Sequence, residues 1–375
     1  MHSKKRVLVT DSDYKHALAA IRSLASQGWE VICGSQYEGA LGFYSKCCTK
    51  SVRYAGVRNE KEFIKSVGEI LKMNDVDVLL PIGYLSCVAV SRNYEMLSKI
   101  TKIPIASFDT MSIASNKAES LRLARELGIP IPKIYKSSSE IEGYPVVVKG
   151  IYESGHLCYV NSPSDLSKMP DLDVLMQEYV PGDGYGFFAL YNQGRLVASF
   201  MHRRIRMNPP TGGSSTAAVS VYDPLLMELG KKLLDALKWH GVAMVEFKKD
   251  NRDGKFKLME INPKFWGSLD LAIACGVDFP SLAARMAVDG DVESSSDYQR
   301  GVKFQWPFPD DLMSAIAHPE FAPSFVLDLL NPRVRKNIVM ADIKPTIIQL
   351  VSSLSSCRRI LVNRGAGYPH GVPRQ

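Results

Sequence analysis

The chain has 375 residues, 46% of them apolar, which allows two or three domains around a large buried core. Its net charge of +7 suits an anionic substrate or a nucleotide as readily as nucleic acid, so charge alone assigns no partner. The seven cysteines (33, 47, 48, 87, 158, 275 and 357) have no CxxC spacing and an odd total, which argues against a disulfide framework or a zinc site and for a reduced, cytoplasmic setting.

The chain begins with alternating strand and helix signals. RVLVT reads as a buried strand, HALAAIRSLASQG as an amphipathic helix closed by glycine, and WEVICGS as a second strand. FIKSVGEILKMN reads as a helix, followed by strands in DVDVLLPIG and KIPIAS. Such repetition predicts a parallel sheet covered by helices. DSDYKHA follows the first strand where a dinucleotide site would carry GxGxxG, so dinucleotide binding has no support. The initial apolar run is too short for a signal peptide, and no run approaches the ~18 residues of a membrane span.

The middle of the chain changes character. NKAESLRLARELG is a helical stretch stopped by Gly128 and IPIP, and YPVVVKG is a strand carrying Lys149 at its end. Residues 173–204 read as three strands joined by PGDGYG and NQG, both turn chemistry. NPPTGGSSTAA is a Gly/Ser/Thr-rich binding loop or lid. LLMELGKKLLDALKW is an amphipathic helix, and the tail RGAGYPHGVPRQ is expected to be poorly ordered.

The most informative segment is a hairpin, VAMVEFKKD followed by LMEINPKFWGS. A three-residue loop Arg252-Asp253-Gly254 would put Gly254 in the left-handed position and place Glu246 opposite Glu260, with Asn262 on the same face. Val245, Phe247, Met259 and Ile261 would then share the apolar face. Carboxylates directly opposite each other, with Cβ atoms about 5 Å apart, repel unless something neutralises them. A hard divalent cation such as Mg²⁺ or Mn²⁺ suits this oxygen-only set; so does an exposed hairpin whose acids are balanced by Lys248 or Lys264. The hairpin alone does not separate these readings.

The order of elements resembles the ATP-grasp superfamily, in particular its branch similar to the carbamoyl-phosphate synthase large chain. The succession is Asn-Lys opening a helix, VVVKG, QEYVPG, a basic strand before a Gly-rich loop, and the hairpin with EIN followed by FWGSLDLAIACGVDFP. The resemblance covers roughly residues 5–285. It implies an α/β (α+β) chain with an N-terminal Rossmann-like pre-ATP-grasp domain over residues 1–107 and an ATP-grasp domain over 108–300. Within the latter a lid occupies about 133–180, and residues 301–375 form a C-terminal extension.

The resemblance also assigns roles. Glu246, Glu260 and Asn262 are implied ligands of two Mg²⁺ (or Mn²⁺) ions bridging ATP phosphates, with Lys117 and Lys149 on those phosphates. Glu178, Tyr179 and Val180 match the hinge that meets adenine through its backbone. Gly184 stands where an acid usually holds the ribose, leaving Asp183 beside it, and Lys264 stands where relatives often carry an arginine for the carboxylate. In MHRRIRM, alternation puts His202, Arg204 and Arg206 on one side and Arg203 with Ile205 on the other. The first set is expected to face the site because Gly213-Ser214-Ser215 follows directly. Arg204 and Lys264 are thus the expected catalytic cations, with His202, Arg206, Gly213, Ser214 and Ser268 binding substrate.

The implied activity is an ATP-dependent ligation of a small carboxylate to an amine through an acyl phosphate. The alternatives are bicarbonate as the acid, and a non-catalytic ATP-binding module. Nucleic acid and membrane partners are not expected, whereas a homodimer is compatible with the resemblance.

Overall fold

A computed structural model describes residues 4–152, 157–166, 174–208, 212–294 and 296–362. Strands β1 (Arg6–Val9), β2 (Glu30–Ser35), β3 (Lys50–Arg53) and β4 (Val78–Leu80) form a parallel sheet in the order β3-β2-β1-β4. Val7, Leu8 and Val9 are each fully enclosed, because helices cover both faces of this sheet. Leu8 and Ile32 pack beneath the helix Glu60–Met73, and Val7 and Val9 pack on the other face with Ile21 and Leu24 of the helix Lys15–Ser26. KIPIAS, expected as a further strand, contributes only an isolated bridge from Lys102 to Val78.

A smaller antiparallel sheet follows. It holds β5 (Ile134–Tyr135), β6 (Val146–Gly150), β7 (Leu157–Val160) and β8 (Val174–Glu178) in the order β5-β8-β6-β7. Its own core is small: Tyr135, Val146, Val148 and Val160.

The third sheet has seven strands. They are β9 (Gly184–Asn192), β10 (Arg195–Asn208), β11 (Ser214–Ser220), β12 (Gly241–Lys249), β13 (Phe256–Asn262), β14 (Lys303–Gln305) and β15 (Arg335–Lys336), ordered β13-β12-β9-β10-β11-β14-β15. One face packs on the helix Pro224–Ala236 through Phe187, Tyr191, Leu229 and Leu233. That helix starts cleanly because Asp223 accepts from the amides of Leu225 and Leu226 and Pro224 sits in its first turn. On the other face Phe188, Phe200, Trp266 and Phe279 belong to the same apolar cluster as Val7 and Val9, so the N-terminal sheet and the large sheet share one core.

The segment after residue 300, read as a C-terminal extension, supplies β14 and β15 to the large sheet. Charge also ties it in. Arg206 on β10 is 5% exposed and forms a fork with Asp311 (2.7 and 2.9 Å) while reaching Asp328 (2.7 Å). Thr216 and Gln305 donate to the same Asp311 carboxylate. Asp342 accepts from Arg22, Ser45 and the amide of Lys46, which links the extension to the N-terminal domain. The tail expected to be poorly ordered, residues 364–375, lies outside the described residues. No described helix is long and apolar enough to cross a membrane.

Asp311 is 1% exposed and is the shared acceptor of this network, so Asp311→Ala strands the Arg206 cation without its fork. The expected loss is about 3–5 kcal/mol of unfolding free energy. It is read from the denaturant midpoint; a loss below about 1 kcal/mol would mean that Asp328 alone satisfies the arginine.

Candidate active site

The hairpin β12–β13 organises a cavity of about 550 Å³. Met244 faces Asn262, Val245 faces Ile261, and Glu246 faces Glu260, as the sequence predicts. The turn differs. Beyond Glu246 the register shifts by one, pairing Phe247 with Leu258, Lys248 with Lys257 and Lys249 with Phe256. Asp250 bonds Lys255 across a loop of four residues, and Gly254 takes φ +72 within it. The slip appears as a bulge at Met259. Met259 therefore lines the cavity beside Glu260 rather than joining the apolar face, where Leu258 packs with Val245, Phe247 and Ile261.

The bulge leaves Met244, Glu246 and Lys248 in line along β12, with same-face positions about 7 Å apart. Lys248, which faces Gly184, marks one end near Tyr179 and Val180. The Glu246–Glu260 pair lies in the middle. Asn262, Lys264, Trp266, Gly267 and Ser268 line the other end with Ser214 and Ser215.

Cations surround the paired acids. Arg204 reaches Glu246 at 2.5 Å, and Lys117 lies 3.4 Å from Glu260. Lys117 is placed by the helix Lys117–Glu126, whose first turn is capped by Asn116; its amine also donates to the Tyr152 carbonyl at 3.1 Å. Asn262 donates to Glu260 at 3.0 Å, which turns its Oδ1 away from that bond. Burial alone would raise the Glu260 carboxyl, but Lys117, Lys149, Asn262 and Arg204 hold it below the usual range. Burial pushes the Lys149 amine below the ordinary lysine value, against the pull of Glu260 and Glu246. Lys149 belongs to β6 of the small sheet, so the charges come from both sheets.

No three of His, Cys, Asp and Glu converge as a metal site among the described residues. Two carboxylates and an amide oxygen fit a hard cation such as magnesium that completes its shell with phosphate and water. Arg204 and Lys117 balance the same carboxylates meanwhile.

Several residues depart from the expected placement. Arg206 does not face the cavity. Ile205 has no partner in the β10–β11 ladder, where Arg204 pairs with Ala218 and Arg206 with Ala217. This irregularity breaks the alternation, so Met207 lines the cavity and Arg206 points to Asp311 and Asp328. Asp183 is also outside the cavity lining and pairs with Arg203 at 2.9 Å. His202 is fully enclosed behind the wall and meets the cavity only through Ser268, whose Oγ lies 2.7 Å from its Nε2. The Glu178 side chain is committed to Lys257 (2.7 Å), Arg252 (2.8 Å) and the Lys133 amide (3.0 Å), and its own amide donates to the Lys133 carbonyl at 2.9 Å.

Gly213, Ser214, Ser268, Tyr179, Val180 and Lys264 all line the cavity. Residues 209–211 of the Gly-rich NPPTGGSSTAA segment lie outside the described residues, as do residues 153–156 after Lys149. Sequence reading missed Lys248 as a lining residue, although its position two after Glu246 was the available signal. Its amine donates to the Val180 carbonyl at 2.6 Å and sits 5.1 Å from the Tyr179 ring centre. Burial, reinforced by Lys149, lowers it to about 8.

Comparison with known proteins decides the fold. A family model described as ATP-grasp in the biosynthetic pathway with Ter operon matches residues 170–307. N5-carboxyaminoimidazole synthetase from Staphylococcus aureus superposes with a TM-score of 0.66 at 14% identity, over 94% of this chain and 98% of that one. The fold is ATP-grasp. Biotin carboxylase from Campylobacter jejuni is similar with a TM-score of 0.64 at 16% identity, over 80% of this chain and 74% of that one. An L-amino acid ligase from Bacillus licheniformis gives a TM-score of 0.62 at 15% identity, over 78% and 76%. The small sheet β5–β8 brings Lys149 to the cavity, and the large sheet carries the acidic hairpin.

The enclosed His202 yields a pH prediction. Burial, with Arg204 nearby, lowers its imidazole to about 3 from an ordinary 6.5, so the folded state binds fewer protons than the unfolded chain between those values. Its contribution to stability is therefore present above pH 6.5 and lost as pH falls towards 3. Wild type minus His202→Phe, measured by denaturant unfolding across pH 4–7, should show this slope; identical slopes would mean that the folded imidazole titrates normally.

Proposed function

We propose that this chain is an ATP-dependent ligase that joins a small carboxylate to an amine, releasing ADP and phosphate. The observation that carries the reading is the Glu246–Glu260 pair with Asn262, set between Lys117, Lys149 and Arg204 in one elongated cavity. The Tyr179–Val180 backbone would hold the base at the Lys248 end. Lys117 and Lys149 would hold the phosphates above the acids, and Lys264 with Arg204 would hold the carboxylate at the far end.

Glu246, Glu260 and Asn262 would hold one or two magnesium ions. Bound there, magnesium supplies positive charge to the phosphoryl group in transfer. The substrate carboxylate attacks the γ-phosphorus, giving an acyl phosphate and ADP. An amine then attacks the acyl carbon and phosphate leaves. The protein's part is positioning and charge: the lysines spread the negative charge, and the lid keeps water from the acyl phosphate. Free thiols and a need for ATP support a cytoplasmic setting for this work.

The similarity to biotin carboxylase supports a second reading in which bicarbonate is the acid. One experiment separates the two: ADP and phosphate release screened with amino acids and small carboxylates, singly and in pairs, against bicarbonate alone. Release that needs both an organic acid and an amine supports ligation. Release with bicarbonate alone replaces it with carboxylation, and nucleotide binding without release under every condition would make the chain an ATP-binding module.

Glu260→Gln removes one of the paired charges while keeping the side-chain shape. Turnover should fall at least ~10²-fold with the unfolding midpoint little changed. Wild-type turnover in the purified variant at saturating Mg²⁺ would refute the assignment of this face to metal and phosphate.

Chelation gives an independent check on the same oxygen ligands. EDTA should abolish activity and Mg²⁺ or Mn²⁺ restore it, with Zn²⁺ alone ineffective. Full activity in chelator would remove the hairpin from the chemistry.

A further inference from the structure

Behind the carboxylate end of the cavity lies a polar pair whose chemistry the ligase reading does not use. His202, on β10, is fully enclosed. Its ring stands 4.6 Å from the centre of Phe188 and 6.4 Å from that of Phe200. Nε2 lies 2.7 Å from Ser268 Oγ, and Nδ1 is buried without a hydrogen-bond partner. Ser268 is only 5% exposed, yet it lines the cavity between Gly267 and the core.

A neutral imidazole carries one N–H. With the proton on Nδ1, a buried donor would have no well-formed partner, only its own backbone nearby. With the proton on Nε2, the donor meets Ser268 Oγ and only a lone pair goes unpaired. Orphaned buried N–H groups are the rarer and costlier of the two. The Nε2–H form therefore wins, and Ser268 Oγ accepts from the ring. A serine hydroxyl has one hydrogen. Since the ring side already supplies a proton, the serine's own must point elsewhere, and the open direction is the cavity.

We propose that His202 is a positioning residue that locks Ser268 as a hydrogen-bond donor to an oxyanion, so that this end of the cavity favours a carboxylate over an ammonium group. The proposal rests on the ligase reading for the identity of the oxyanion as substrate, and on geometry alone for the direction of the bond. Lys264, which lines the same cavity, favours the same sign of ligand, whereas Arg204 is paired with Glu246. A serine free to rotate can turn its hydrogen away from a ligand; one held from behind presents that hydrogen to the cavity.

The test uses the full chain labelled with ¹⁵N at histidine and serine. Nitrogen shifts of the His202 ring, assigned by comparison with His202→Gln, report the tautomer directly. The Nε2–H form, unchanged between pH 6 and 8, is expected; the Nδ1–H form or an imidazolium in that range would overturn the proposal. Acetate and ethylammonium then serve as probes in the presence of MgADP. Acetate should shift the Ser268 amide and the His202 Nε2–H signals, Ser268→Ala should abolish the response at His202, and ethylammonium should shift neither. A response to ethylammonium, or none to acetate at several hundred millimolar, would remove the donor role. His202→Gln, whose amide can still donate to Ser268, should keep the acetate response of Ser268 that His202→Leu loses; equal loss in both would reduce His202 to packing. Neither arm depends on turnover, so a failed phosphate-release screen would sink the ligase reading while leaving the tautomer result to judge this one.

Discussion

Two carboxylates facing each other across an antiparallel ladder are the constraint around which the rest of the molecule is arranged. Glu246 and Glu260 are neighbours on one sheet face, where like charges destabilise a pair. The surrounding structure offsets that repulsion from three directions: Arg204 comes from β10, Lys117 from a helix start, and Lys149 from the small sheet. Each cation costs desolvation, seen in the lowered amine of Lys149, so none of these placements is explained by stability alone. A set of opposing charges held this close is suited to exchanging protein partners for a phosphate and a cation.

The scaffold that holds them is more continuous than a list of domains suggests. Phe188 and Trp266 pack in the same cluster as Val7 and Val9, so the N-terminal sheet is part of the foundation under the large sheet. The last segment is equally integral. Its strands extend the sheet, and its acids Asp311 and Asp328 hold the arginine that β10 directs away from the cavity. The arginine cluster on β10 is thereby split between two tasks. Arg204 faces Glu246, and Arg206 holds the extension.

Much of this was legible in the sequence because it depends on short-range pattern. Alternating strands and helices gave the N-terminal sheet, and segregation of apolar from acidic residues gave the Glu246–Glu260 register. What failed has one physical cause. A bulge adds a residue without leaving a compositional mark, and it inverts every face assignment beyond it. That is why Met259 and Met207 reached the cavity unannounced and why Arg206 was misplaced. Long-range pairing was equally hidden: nothing local in the sequence joins Arg206 to Asp311 or Asp183 to Arg203. The strands of the C-terminal extension were missed because each is two or three residues long, too short for periodicity to register.

The lysines that approach the paired acids do not all belong to the same body of the protein. Lys149 rides on the four-stranded sheet, whereas Glu246 and Glu260 belong to the seven-stranded sheet. That small sheet has a small apolar cluster of its own, and Leu175 and Ile134 tie it to the core of the large sheet, so charge adds to a limited apolar contact. A multivalent anion entering the gap is attracted by both bodies at once and acts as the mortar between them, whereas a neutral ligand of the same shape has no such grip. The firmness of the joint thus belongs to the ligand as much as to the polypeptide, and it weakens wherever dissolved salt shortens the reach of charge.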